Sequence, residues 1–373
     1  MALNCLDGFR VLELAQYLPG PYAGQILADL GAEVVKVEPP AGDPMRAVPP
    51  LDGDGVSAFY KLVNAGKTVL RLDLKDAAGQ AAFTTLVEKA DALVESYRPG
   101  VFARLGFGAE ALRQINPRLV HCALSGFGQT GPAALRAGHD INYMALAGGL
   151  ATSGTEGRPV GAHPPTADFA SGMQAALTVV AALLRRERTG QGASIDTSIA
   201  ETVLGWQALV LTAAQRPGHE PRRGAGRLNG GAACYQVYET SDRRFVTLGA
   251  LEAKFWANFC RALGRADWIG RQWEPMPQEG LVVEVAALIG AKPLAHWERL
   301  LAEVDCCFQA VLDPAQVPDD PQIQARGLVR REPGPEPKVE VLFPAIFDGR
   351  PPEARPPLEQ TSAADLLSAW GSN

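Results

Sequence analysis

Short apolar runs punctuate the first third of the chain, and each is followed by a stretch patterned for a helix. Val11-Leu12-Glu13-Leu14, Val34-Val35-Lys36-Val37 and Ala92-Leu93-Val94-Glu95 are brief and rich in β-branched or apolar residues, with Leu119 to Leu124 as a fourth. Such runs predict buried strands. Between them, Pro21 to Leu30 predicts a helix with proline in its first turn and Gly31 just past its end. Ala77 to Ala90 sets Phe83, Leu86, Val87 and Ala90 on one helical face. Strands alternating with helices predict an α/β fold, with a parallel, doubly wound sheet covered on both faces.

The pattern changes further along. Ala167 to Arg188 predicts the clearest helix, with Asp168 or a neighbour as its cap and Met173, Ala176, Leu177 and Val180 on one face. Arg185, Arg186 and Arg188 close it before Gly190. Ser194 to Thr197 reads as another strand, and an apolar helix begins near Ala200. Residues 216–231 (RPGHEPRRGAGRLNGG) are polar and rich in Gly and Pro, as a linker is. Beyond them, Tyr235 to Tyr238 and Arg244 to Leu248 predict a hairpin, followed by helices near Ala253 to Leu263 and Pro293 to Glu303. The expected organisation is a large α/β domain over 1–215, a linker over 216–231 and a smaller α+β domain over 232–325. A C-terminal segment, 326–373, is expected to return to the large domain; it is proline-rich from Pro351 and ends in a short helix, Ala363 to Trp370.

A chain of 373 residues with 47% hydrophobic and 20% charged side chains has the balance of a folded protein of two domains. Its net charge of −6 argues against a nucleic-acid surface, yet a few arginines suffice to hold an anionic ligand. Six scattered cysteines with no C-x-x-C pair predict reduced, mostly buried thiols. The first residues, MALNCLDGFRVLELA, carry Asp7 and Arg10 inside their only apolar stretch, unlike a signal peptide. No run approaches the roughly 20 apolar residues of a membrane span. A cytoplasmic protein with no nucleic-acid or membrane partner is expected.

Gly126-Phe127-Gly128-Gln129-Thr130-Gly131 spells a dinucleotide fingerprint after a strand. The fingerprint needs a helix opening at those glycines and an acid about 20 positions on. Here Pro132 follows at once and no acid stands at that distance. The motif therefore predicts a glycine-built turn at the carboxyl end of a strand, which is also where open α/β sheets bind ligands. Three polar positions stand out as carriers of chemistry: His139 before the apolar run Met144 to Leu150, Asp168 opening the clearest helix, and Glu252 interrupting an apolar stretch. Each alone has an ordinary structural explanation, as a core histidine, a helix cap or a charge serving a helix dipole. No ligand spacing for a metal is present.

Several segments resemble a known family. Leu14-Ala15 with Pro19-Gly20-Pro21, then Asp29-Leu30-Gly31-Ala32 and Val34-Val35-Lys36-Val37-Glu38, resemble the opening of the family III CoA-transferases (CaiB/BaiF type) and their racemase relatives. Tyr97-Arg98-Pro99-Gly100, Ser125 to Pro132 and Arg188-Thr189-Gly190-Gln191-Gly192 extend the resemblance, which runs from about Leu6 to about Val329. It implies a Rossmann-like large domain, a smaller domain, and a homodimer whose chains interlock like two rings. Gly138-His139-Asp140-Ile141-Asn142-Tyr143, Gly230-Gly231-Ala232 and Gly249-Ala250-Leu251-Glu252 look like the α-methylacyl-CoA racemase branch. That likeness implies His139 and Asp168 as two catalytic bases, with Glu252 orienting the histidine. The implied substrate is an acyl-CoA thioester, with coenzyme A arriving as part of it and no separate cofactor. Racemase relatives can carry an arginine after the acidic residue of the second strand, where this chain has Pro39. The phosphate grip is then expected from Arg98 first, with Arg71, Lys75 and Arg104 behind it.

Inverting the α-carbon of a thioester takes a proton from one face and returns one to the other, which two opposed bases accomplish. Histidine titrates near neutrality, and desolvation raises an aspartate toward it. Backbone N–H groups beside Asp168 are expected to steady the enolate oxygen. In the transferase branch the residue matching Asp168 is instead a nucleophile, forming a mixed anhydride and then an enzyme–CoA thioester. His139 and Glu252 favour the racemase, with transfer as the alternative.

Overall fold

The apolar runs become the middle of one parallel sheet in the computed structural model, which describes residues 3–332 and 338–371. Its strands are β1 (Arg10–Leu14), β2 (Glu33–Glu38), β3 (Thr68–Arg71), β4 (Ala92–Glu95), β5 (Val120–Ser125), β6 (Ala193–Ser198) and β7 (Glu359–Thr361). They lie in the order β7-β3-β2-β1-β4-β5-β6, each pair parallel. Val11, Leu12, Val35, Leu93 and Val120 are fully buried, because helices cover both faces. That double burial is why these strands read as continuous apolar runs. The chain winds outward from β1 through β2 to β3, then crosses back to β4 on the other side of β1. The topological switch point, where such sheets bind ligands, is therefore the crevice beyond the carboxyl ends of β1 and β4.

Seven helices serve this sheet's site: α1 (Pro19–Asp29), α2 (Ala58–Asn64), α3 (Ala77–Lys89), α4 (Val101–Arg104), α5 (Ala109–Ile115), α6 (Asp140–Leu146) and α7 (Thr166–Thr189). Prolines at the start of α1 pre-set its first turn. Asp76 caps α3, accepting from the Gly79 N–H at 2.7 Å. Helix α7 ends at Gly190, which adopts the left-handed conformation. Contrary to the expectation from sequence, α7 is long and apolar enough, by length and composition, to cross a membrane. It nevertheless buries Ala167, Ala175, Val179 and Leu183 against α1 and β5 as a core helix. Its charges gather at the two ends, leaving a middle without charges between Asp168 and Arg185.

The residues fall into two units, one of Met1–Ala147, His163–Trp206 and Pro318–Asn373, the other of Gly148–Ala162 and Gln207–Val317. The proline-rich tail joins the first unit by adding β7 beside β3. Arg355 fixes it there with two bonds to Asp29, at 2.6 and 2.7 Å. The second unit holds a three-stranded antiparallel sheet of Tyr235–Glu239, Phe245–Gly249 and Phe308–Ala310. Helices Ala253–Ala262, Glu279–Ile289 and Leu294–Leu301 enclose its Trp256, Phe259, Trp268 and Trp297. Residues 216–231, expected as a linker, lie inside this unit. Arg223 draws them in by donating to the carbonyls of Ala151, Thr155 and Glu156, which brings Gly148–Ala162 along.

Candidate active site

The loop after β5 delivers His139 to the threshold of α6. Its N–H donates to the Asn142 side chain at 3.0 Å, which closes the first turn of α6 and sets the direction in which the exposed imidazole leaves the backbone. The next residue reaches another helix. Asp140 Oδ1 accepts from the N–H groups of Ala167 at 2.6 Å and Asp168 at 3.1 Å. Asp168 is thus the third residue of α7 and not its cap; the cap comes from Asp140. The same bonds occupy two of the backbone donors that the sequence offered to an enolate oxygen. Those donors are not free.

Asp168 is half-buried, and its carboxyl is pushed up to about 6, first by burial and then by the negative Asp140, against the pull of His139. A carboxyl in that range accepts and returns protons near neutral pH. One turn into α6, the buried Tyr143 donates to the Gly138 carbonyl at 2.7 Å. Its hydroxyl is pushed up to about 12 by burial and by Asp168, with Arg98 acting in the other direction. Arg98, His139, Asp140, Tyr143 and Asp168 therefore share one electrostatic neighbourhood in the first unit. The Gly126 motif serves this packing: a Cβ there would come within 2.6 Å of the Tyr143 hydroxyl oxygen. That glycine makes room for an aromatic ring and not for a pyrophosphate.

The expected phosphate-binding residues all leave the sheet at its carboxyl edge. Arg71 closes β3, Lys75 follows it, Arg98 follows β4 and Arg104 ends α4, each exposed. None of the four is ion-paired among the described residues, whereas Arg46 grips Glu38 and Arg186 grips Asp91. At the switch point a small cleft is lined by Ala15, Gln16, Glu38, Pro39, Asp43 and Tyr97, among others. The Gln16 N–H donates to Ser96 Oγ at 3.3 Å, tying the loops after β1 and β4 together.

Glu252 belongs to the second unit. It stands at the N-cap position of Ala253–Ala262, is exposed, makes no side-chain cap bond, and helps raise the thiol of Cys307 after burial has done so. The other two expected catalytic residues, His139 and Asp168, are brought together within the first unit.

The sequence profile of CoA-transferase family III matches residues 6–360. The chain belongs to this family. Human alpha-methylacyl-CoA racemase is 34% identical over 325 residues, covering 86% of this chain and 81% of its own length. The acetyl-CoA:oxalate CoA-transferase of Acetobacter aceti is 34% identical over 337 residues, covering 88% and 86%. A crystal structure of a CaiB/BaiF family protein from Brucella suis matches with a TM-score of 0.84 at 27% identity, covering 98% of this chain and 99% of that one. Racemase and transferase stand at the same identity, so overall likeness does not choose between the reactions.

Asp140 and Tyr143 share this neighbourhood with His139 and Asp168, and sequence reasoning singled out neither as a candidate. The available signal was the acid directly after His139, which has no helix-capping role on its own element. Replacing Asp140 separates its two effects. Asp140→Asn keeps an acceptor for the α7 N–H groups but removes the charge that raises Asp168, so the acid limb of the kcat/KM profile moves to lower pH. Asp140→Ala moves the limb similarly and also costs about 1 kcal/mol of stability through the lost cap. An acid limb unmoved in both variants would remove Asp140 from the site.

Proposed function

We propose that this family III enzyme inverts the α-carbon of 2-methyl-branched acyl-CoA thioesters, with His139 and Asp168 as the two bases. The observation that carries the reading is the electrostatic coupling of the imidazole and the raised Asp168 carboxyl at the α6–α7 junction. One base removes the α-proton, the electron pair passes into the thioester as an enolate, and the other base returns a proton on the opposite face. Since Asp140 holds the N–H groups of Ala167 and Asp168, the enolate oxygen takes its donors from other groups. The enzyme needs no cofactor beyond the coenzyme A its substrate carries. Self-association in the cytoplasm completes the proposal, supported by Met173, Leu177 and Leu184 on α7, which are 56%, 62% and 57% exposed.

A single epimer of a 2-methylacyl-CoA incubated in heavy water should take up deuterium at the α-carbon and epimerise. Neither change, over several chain lengths, would count decisively against racemisation. The second reading is CoA transfer, favoured by the half-buried Asp168 carboxyl and by the transferase relative. There Asp168 attacks the thioester carbonyl and expels CoA thiolate to form an anhydride, and the thiolate then attacks the aspartyl carbonyl and releases the acid. Hydroxylamine trapping at Asp168 and movement of CoA to an added acid are the outcomes that reading requires.

On either reading Arg98 grips a phosphate of the substrate. Arg98→Ala should raise KM for acyl-CoA about tenfold or more while kcat changes little. An equal loss with a CoA-free thioester would reassign Arg98 to a structural role.

A further inference from the structure

Beneath the loop joining β1 to α1 lies a closed set of four charges. Glu13 on β1, Lys36 on β2, Asp43 after β2 and Lys67 before β3 are each at most 2% exposed. Glu13 divides its oxygens, Oε1 accepting from Lys36 Nζ at 2.9 Å and Oε2 from Lys67 Nζ at 2.6 Å. Lys36 also donates to the Ala15 carbonyl at 2.7 Å and pairs with Asp43 at 3.1 Å. Lys67 also donates to the Pro21 carbonyl at 2.7 Å and to Asn64 Oδ1 at 2.9 Å. Two acids balance two ammonium groups; Lys67 has three acceptors, and Lys36 has two acceptors with Asp43 as an ion-pair partner.

Such a set gains little over apolar packing in a core, so the destinations of its bonds carry the information. One backbone carbonyl, Ala15, directly follows β1 and the other, Pro21, lies in the first turn of α1, so the two flank the β1–α1 loop. Asp43 Oδ1 adds a longer contact to the Tyr17 N–H between them, at 3.4 Å. Tyr17 has φ +62, a region that side-chain-bearing residues seldom occupy. The loop is held in a shape it would not keep alone. Gly24 leaves the space for this, since a Cβ on it would collide with Glu13 Oε2. On its other side the loop lines the switch-point cleft through Ala15 and Gln16. The start of α1, where the loop ends, touches α7 one turn past Asp168: a Cβ on Gly172 would lie 2.6 Å from the Pro19 carbonyl oxygen.

We propose that Lys67 is a positioning residue: through Glu13 and the Pro21 carbonyl it fixes the β1–α1 loop as a wall of the crevice that receives the coenzyme A portion of the substrate. The proposal rests on the acyl-CoA reading but is indifferent to racemisation or transfer. Lys67 is faced by Glu13, Lys36, Asp43, Asn64 and the Pro21 carbonyl. Burial brings its ammonium down to about 8, with Glu13 resisting. The tether therefore loosens as pH rises past that point.

Calorimetric binding of desulfo-coenzyme A, which lacks the reactive thiol, tests this on the full chain. Lys67→Met should weaken binding on the order of tenfold. The double variant Glu13→Gln/Lys67→Met removes one charge of each sign, regains folded stability, and should stay weak because Pro21 still lacks its donor. Wild-type affinity should fall between pH 7 and pH 9, with no matching fall in the double variant. Restored affinity in the double variant, or equal pH slopes, would overturn the proposal and leave the network a purely structural one. A wild-type protein that binds no desulfo-coenzyme A sinks the acyl-CoA reading itself, and this proposal with it.

Discussion

Asp168→Asn should abolish turnover and stabilise the protein at the same time. Asparagine neither takes up a proton nor attacks a thioester, so epimerisation and transfer both fall by about 10³-fold or more. The stability gain follows from proton linkage. In the folded protein the carboxyl keeps its proton up to about pH 6, whereas the unfolded chain releases it near the ordinary aspartate value of 3.8. Between those values the folded state binds more protons, so stability falls as pH rises and the penalty is complete above pH 6. It amounts to at most about 3 kcal/mol at pH 7 and about half of that at pH 5. Denaturant titrations of both proteins at the two pH values measure it. A variant that retains a tenth of the activity, or one whose stability difference is the same at both pH values, contradicts this account of Asp168.

The strands and the site were legible to different degrees, for physical reasons. Strands β1, β2, β4 and β5 announce themselves because both faces are buried. Strand β3 is only Thr68–Arg71, and its last residue is an exposed arginine, so its four positions carry too little apolar pattern to be recognised. Strand β7 is three polar residues whose pairing depends on the free edge of β3, which no local pattern encodes. Helix α2 buries Tyr60 and Val63 while exposing Phe59 and Leu62, which blurs its periodicity. His139 and Asp168 were visible as residue types, and the motifs around them suggested their partnership. The Asp140 cap was not visible, because sequence rules look for a cap just before its own helix. The buried charges were hidden for a related reason. Glu13 and Lys36 occupy strand positions that look like simple breaks in an apolar run, and only the folded sheet brings Lys67 beneath them.

His139→Gln separates the two chemistries. In a two-base racemase the variant keeps Asp168, which still reaches the α-proton of one epimer and can return a solvent deuteron to the same face. Inversion needs delivery from the opposite face, and that donor is gone. Epimerisation should therefore fall by about 10³-fold, while one epimer continues to exchange its α-proton with retention of configuration and the other does not. In a transferase the imidazole has no place in anhydride formation, so CoA transfer should persist within a few-fold. Following deuterium uptake and configuration for each epimer separately, beside transfer to an added acid, reads all of these at once. Undiminished epimerisation, or an identical loss of exchange from both epimers, would show that His139 and Asp168 do not serve opposite faces of the same carbon.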